Sequence, residues 1–218
     1  MNTHKTALVI GFEPFNGDTV NPSQKIVDAL HGEKIANHAI VGAVLPTAFV
    51  AAFAALMELL ETHRPNLVLA LGQAGGRAGI SLERVAINLI DARVPDNAGD
   101  QPVDIAVIDD APNAYFSTLP IKAMLRQLQM RGIPAAISNT AGTFVCNQIF
   151  FALAHLGATQ YPKMRSGFVH VPYLTEQAKL HSDSAFMELQ TMIEAARICL
   201  HVAITTKHDL HFAAGATH

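Results

Sequence analysis

Short apolar runs rich in β-branched residues alternate along this chain with longer runs of helical character, and this alternation constrains the fold most. Residues 6–12, 39–45, 67–71, 133–138 and 166–171 read as strands. Residues 22–30, 47–63, 119–131 and 143–156 read as helices, and a last helix covers roughly 184–204. Pro22 and Pro120 stand near helix starts, Thr47 can cap the second helix, and Gly132 and Gly157 follow helix ends. Strands that are continuously apolar are covered on both faces. The pattern therefore predicts one α/β domain over residues 1–218, a single-domain α/β/α sandwich around a mostly parallel, mixed sheet. Residues 80–90 look extended, 91–118 irregular, and 205–218 a C-terminal tail. In such sheets ligands sit outside the carboxyl ends of the strands.

With 218 residues, half of them hydrophobic and 15% charged, the chain can bury a sizeable core. A formal net charge of −3 argues against nucleic acid as a partner. Two cysteines do not build a disulfide framework, which points to a reducing, cytoplasmic setting. Residues 39–57 carry no charge and are long enough to raise a membrane span, but Pro46-Thr47 divides them into a strand and a buried helix. The apolar run 7–12 stops at Glu13, too short for the core of a signal peptide.

Cys146 follows the turn Asn139-Thr140-Ala141-Gly142-Thr143, which links a strand to a helix that the turn can cap. In the first helical turn, unpaired N–H groups and the positive end of the helix dipole favour a thiolate. Two readings stay open: a nucleophile, or a small residue packed on the sheet. A nucleophile needs a base. Of eleven histidines, His170 alone closes a strand, Gly167-Phe168-Val169-His170, where side chains reach the ligand crevice. Glu83, inside the extended run, either orients that histidine or pairs with a nearby arginine.

The run Gly72-Gln73-Ala74-Gly75-Gly76-Arg77-Ala78-Gly79 does not match a dinucleotide fingerprint, because a strand and not a helix follows it. Its glycines permit close approach of backbone to a ligand or to other chain segments. Phe12 and Phe15 flank Glu13-Pro14 after the first strand and either line a pocket or pack in the core. His208-x-x-His211 has ligand spacing but no acidic or cysteine partner, so no metal site is expected. Cys199 reads as core.

Taken together, these residues resemble pyroglutamyl peptidase type I (pyrrolidone-carboxylate peptidase), a family of cysteine peptidases. The segments that carry the resemblance are 11–15 with Asn21-Pro22, 72–77, 83–88, 91–97, 115–122, 138–147 and 167–173. It covers residues 6–175 and fades beyond Tyr173. It implies an α/β/α sandwich, no cofactor, and a cysteine exopeptidase that removes N-terminal pyroglutamyl groups from peptides. It also implies a triad of Cys146 as nucleophile, His170 as base and Glu83 as the orienting acid. Phe12, Phe15, Thr47, Val94, Phe144 and Val145 would line the pyroglutamyl pocket. Asn21 and Gln73 would lie near the substrate and Arg93 near the oxyanion. Family members are often dimers or tetramers, so a homodimer or homotetramer is expected. Two other classes remain: a nucleotide- or phosphate-binding enzyme of similar architecture, and an inactive homologue that serves as a binding protein. A copurified nucleotide would mark the first; loss of a triad residue would mark the second.

Overall fold

The computed structural model describes residues 5–178, 181 and 184–215. In chain order the first elements are β1 (Lys5–Phe12), α1 (Pro22–Leu30), β2 (Lys34–Ile35), β3 (His38–Leu45), α2 (Phe49–His63) and β4 (Leu67–Gln73). Then come β5 (Ile80–Glu83), β6 (Val85–Ile87), β7 (Ala114–Phe116), α3 (Ile121–Met130), β8 (Ala135–Ser138) and α4 (Val145–Thr159). The chain closes with β9 (Arg165–Val171), β10 (Tyr173–Leu174), α5 (Thr175–Ala178), β11 (Phe186–Met187) and α6 (Leu189–Thr205).

Seven strands form the central sheet in the order β2-β3-β1-β4-β9-β5-β8. It is parallel except where β2 meets β3 and β5 meets β9. Every residue of β4 is buried, as expected for a strand covered on both faces. One apolar cluster joins one face of the sheet to α1, α3 and α6; another joins the opposite face to α2 and α4. The architecture is thus the expected α/β sandwich with a mixed, mostly parallel sheet.

Five local readings change. The helix expected from residue 47 starts at Phe49, with Ala48 at its N-cap. The acceptor for its first turn comes from far along the chain: the Phe49 amide donates to the Asp96 carboxylate at 2.8 Å. Thr47 instead donates its hydroxyl to the Glu13 carbonyl. The helix expected to stop at Gly157 runs on to Thr159, because its buried face outweighs the roughly 1 kcal/mol cost of one glycine. The turn 139–143 supplies no side-chain cap to it. The extended run 80–90 bends at Arg84, so that β6 leaves the main sheet and pairs with β7. The tail, as far as Gly215, folds back on the domain. There the Asp209 carboxylate accepts from the amides of Lys122 and Ala123 at the start of α3, and Ala214 accepts from Arg84. His208 and His211 lie outside any helix, and no metal-binding cluster occurs among the described residues. Among the described residues no helix is long and apolar enough to cross a membrane.

Candidate active site

Cys146 is the second residue of α4, and it rests on the sheet where β4 and β9 pair. Its Sγ lies 2.7 Å from the point where a Cβ on Gly72 would stand. Only glycine leaves room there, so the glycine-rich run serves close approach at this position. Gly72 pairs with His170 across the parallel β4–β9 ladder. Register partners of a parallel ladder point to the same face, so imidazole and thiol share one side of the sheet. Phe168, two residues before His170 on β9, shares that face, its ring tilted 50° to the imidazole with 4.8 Å between centroids.

His170 is 4% exposed and Glu83 fully buried. The His170 Nδ1 lies 2.8 Å from Glu83 Oε1. A carboxylate only accepts, so Nδ1 carries the hydrogen and Nε2 is left as the acceptor. The same Oε1 accepts from Arg77 Nη1 at 2.6 Å, and Arg77 Nη2 donates to the Thr140 carbonyl. The two readings of Glu83 are therefore both realised: it pairs with an arginine and it holds a histidine. The arginine is Arg77 from the glycine-rich run, while the neighbouring Arg84 points to the C-terminal segment. Arg77 thereby ties the Glu83 carboxylate to the turn that carries Cys146.

The sequence favoured a thiolate at Cys146; the surroundings reverse this. Although the residue as a whole keeps some exposure, desolvation of its sulfur, reinforced by the charge of Glu83 and only partly opposed by Arg77, pushes the thiol up to about 12. A thiol raised in this way predicts a neutral side chain in the substrate-free protein. Iodoacetamide should therefore alkylate the substrate-free protein with a rate that climbs about tenfold per pH unit between about pH 7 and about pH 9. A rate already flat at neutral pH would show a preformed thiolate. Cys199, fully buried and also raised to about 12, should stay unmodified in the native state.

The model of the pyroglutamyl peptidase family matches residues 5–206 of the chain. The chain belongs to the pyroglutamyl peptidase family. Its sequence is 49% identical to a pyrrolidone-carboxylate peptidase of Cupriavidus taiwanensis, over 98% of this chain and 99% of that protein. A pyrrolidone-carboxylate peptidase of Bacillus cytotoxicus is 44% identical, over 98% of this chain and all of that protein. The fold superposes on pyroglutamyl peptidase I from Bacillus amyloliquefaciens with a TM-score of 0.94 at 41% identity, covering 97% of this chain and all of that one. A mutant pyrrolidone carboxyl peptidase from Pyrococcus furiosus superposes with a TM-score of 0.89 at 43% identity, over 91% of this chain and 98% of that one.

Around Cys146, His170 and Glu83 three loops are bolted together. The loop after β1 is held at its base, where the Glu13 carbonyl accepts from Asn21 Nδ2 and Thr47 Oγ1. The loop carrying Arg93 and Val94 is fixed to the turn before α4 by paired bonds between Asp91 and Thr143, and to the first loop by Asn97 and Pro14. Phe144, at the N-cap of α4, has its ring 5.9 Å from Phe15 and 5.1 Å from Phe49. Phe12 is buried and stands 6.1 Å from Phe168. Val94 is half-buried, and Arg93 is exposed, with no hydrogen bond or ion pair among the described residues.

The side chains of Val145, Asn21 and Gln73 are engaged as follows. The Val145 side chain is wholly inside the core, so only its backbone is left to face a substrate. Asn21 caps α1, accepting from the Ser23 amide at 3.0 Å, and ties down Glu13. Gln73 follows Gly72 and points to the opposite face: its register partner Val171 belongs to the α1, α3 and α6 cluster. Its amide bonds Asp18 and Gln177. Gly72 stands out in the sequence only as part of its glycine-rich run, and Arg77, Phe168 and Phe49 carry no individual site role there. Phe168 was within reach, because residues two apart on a strand share a face; Phe49 and Arg77 meet the site only through tertiary folding.

Proposed function

We propose that this protein hydrolyses the amide bond after an N-terminal pyroglutamyl residue, with Cys146 as nucleophile, His170 as base and Glu83 as the group that orients it. The observation that carries this reading is the thiol seated on Gly72, beside a histidine whose Nδ1 is held by a buried carboxylate. In this scheme the Cys146 proton passes to His170 Nε2 as the thiolate attacks the scissile carbonyl. The first-turn amides of α4, which no side chain caps, receive the developing oxyanion, with Arg93 close to it. The imidazolium protonates the departing amine, leaving a thioester. His170 then takes a proton from water, the hydroxide attacks the thioester, and pyroglutamate leaves with the thiol restored. The buried charge of Glu83 stabilises the imidazolium at both stages. Because the resting thiol is neutral, proton transfer accompanies attack. The chemistry is complete with water as co-substrate.

The acyl pocket in this reading is the aromatic group Phe12, Phe15 and Phe144 with Thr47 and Val94, while Asn21 and Gln73 shape it from behind. Peptides bearing an N-terminal pyroglutamate are the partners. A cytoplasmic location accords with the free thiols, and a homodimer or homotetramer rests on the family resemblance; gel filtration with light scattering would decide the latter.

Release of a chromogenic amine from a pyroglutamyl conjugate tests the activity. Glu83→Gln tests the orienting role. It keeps the shape but removes the charge, and is expected to lower kcat by about 10² to 10⁴ without a comparable change in KM. Full kcat in that variant would leave Glu83 a purely structural ion-pair partner of Arg77.

A further inference from the structure

We infer that Asp18 is a positioning residue for the acyl pocket, anchoring the turn that carries Phe15 by way of Gln73, Gln177 and His181. This rests on the pocket reading given above and goes beyond it, because Asp18 is remote from the thiol's face of the sheet. Phe15 and Asp18 are the two ends of one tight turn, in which the Asp18 amide donates to the Phe15 carbonyl at 3.1 Å. The two central residues, Asn16 and Gly17, have φ of +53° and +83°, the signs a type I′ turn requires. Such a turn has little freedom, so what holds Asp18 also holds Phe15. Phe15 reaches over one side of the sheet to Phe144, and Asp18 reaches over the other.

The base of this loop, Glu13 and Pro14, is pinned by Asn21, Thr47 and Asn97. Beyond that base, the side-chain bonds from the turn to the rest of the described protein converge on the Asp18 carboxylate. Its Oδ2 accepts from Gln73 Nε2 at 2.8 Å and from Gln177 Nε2 at 3.1 Å. Its Oδ1 meets His181 Nε2 at 2.9 Å. The anchors are themselves fixed. Gln177 Nε2 also donates to Gln73 Oε1, and the His181 ring stacks on Tyr173 with 4.3 Å between centroids and 2° between planes. Tyr173 in turn lies against Gly75, where a Cβ would collide with its ring. This accounts for Gln73 at a position where its amide cannot share the thiol's face: it is an anchor for the pocket wall.

The test is a double-mutant cycle on the full chain, read as kcat and KM for a chromogenic pyroglutamyl amide. Asp18→Ala is expected to raise KM about tenfold with kcat within about threefold, and to leave the iodoacetamide alkylation rate of Cys146 unchanged. The double variant Phe15→Ala with Asp18→Ala should be no worse than Phe15→Ala alone, since the anchor has nothing left to position. If the two effects multiply, or if KM is unmoved, Asp18 serves only loop stability and the inference is wrong. Should Asp18→Ala fail to fold, Asp18→Asn is read in the same way, because it keeps the size while opposing N–H donors with an N–H. A wild-type protein inactive on the amide would remove the pyroglutamyl reading and this inference together; an active wild type with multiplying effects removes the inference alone.

Discussion

Cys146→Ala is expected to lower turnover of a pyroglutamyl amide by about 10⁴ or more while the protein stays folded. In the proposed mechanism the Cys146 sulfur forms the thioester, and the other thiol cannot replace it, since Cys199 is fully buried in α6. The folding cost is small: one sulfur is removed from a side chain that is already partly exposed, about 1 kcal/mol. His170→Ala should be nearly as severe, and the double variant no worse than either, because the two act as a unit. Steady-state kinetics together with a thermal melt checks this. If instead Cys199→Ala abolishes activity, or if loss of activity on alkylation tracks Cys199, the nucleophile is misassigned.

Selectivity carries the second large effect. A pyroglutamyl ring is a neutral lactam whose apolar edges suit the proposed pocket of Phe12, Phe15 and Phe144. Its polar edge falls to backbone groups, because the Gln73 amide is engaged with Asp18 and Gln177. An N-terminal proline keeps the ring but loses the lactam carbonyl and carries a charged amine. An N-terminal glutamate brings both an ammonium and a carboxylate. Either would bury charge without a partner and leave polar groups of the site unpaired. Discrimination of roughly 10⁴-fold in kcat/KM against prolyl and glutamyl conjugates is expected. Phe15→Ala should cost about 1–3 kcal/mol in kcat/KM for the pyroglutamyl substrate, by loss of one pocket wall. Parallel assays on the three conjugates check both; comparable prolyl and pyroglutamyl rates, or an unaffected Phe15→Ala enzyme, would count against this pocket.

The mixed charge environment of the thiol bears on how such an enzyme is protected at rest. A neutral Cys146 is a poor target for oxidants, because the thiolate is the reactive form. In the proposed mechanism proton transfer to His170 is deferred until a carbonyl is in place. Arg77 moderates this balance without reversing it, since it opposes the Glu83 charge felt by the thiol while clamping the carboxylate to the Thr140 carbonyl. Glu83 thus raises the thiol at rest and, in the proposed mechanism, stabilises the imidazolium during reaction.

Much of this was legible in the sequence where the cause is local. The alternation of apolar strand and helix runs set the layers and the mostly parallel sheet, because each run must bury its apolar surface against another. Cys146 in the first turn of its helix and His170 at the end of its strand followed from boundaries only a few residues away. The family resemblance then joined them to Glu83. Tertiary structure alone decided which partners meet. The cap of α2 comes from Asp96, 47 residues downstream, while Thr47 is turned to another loop. Glu83 takes Arg77 and not its neighbour Arg84, because the bend after β5 sends Arg84 to the C-terminal segment. Gln73 turns from the thiol because strand alternation gives that face to Gly72. The thiol, too, is raised where its helix turn alone favours a thiolate, because burial and a carboxylate from a distant strand act on it. Local sequence carries propensities and faces; desolvation and Coulomb interactions depend on what the fold brings within a few ångströms.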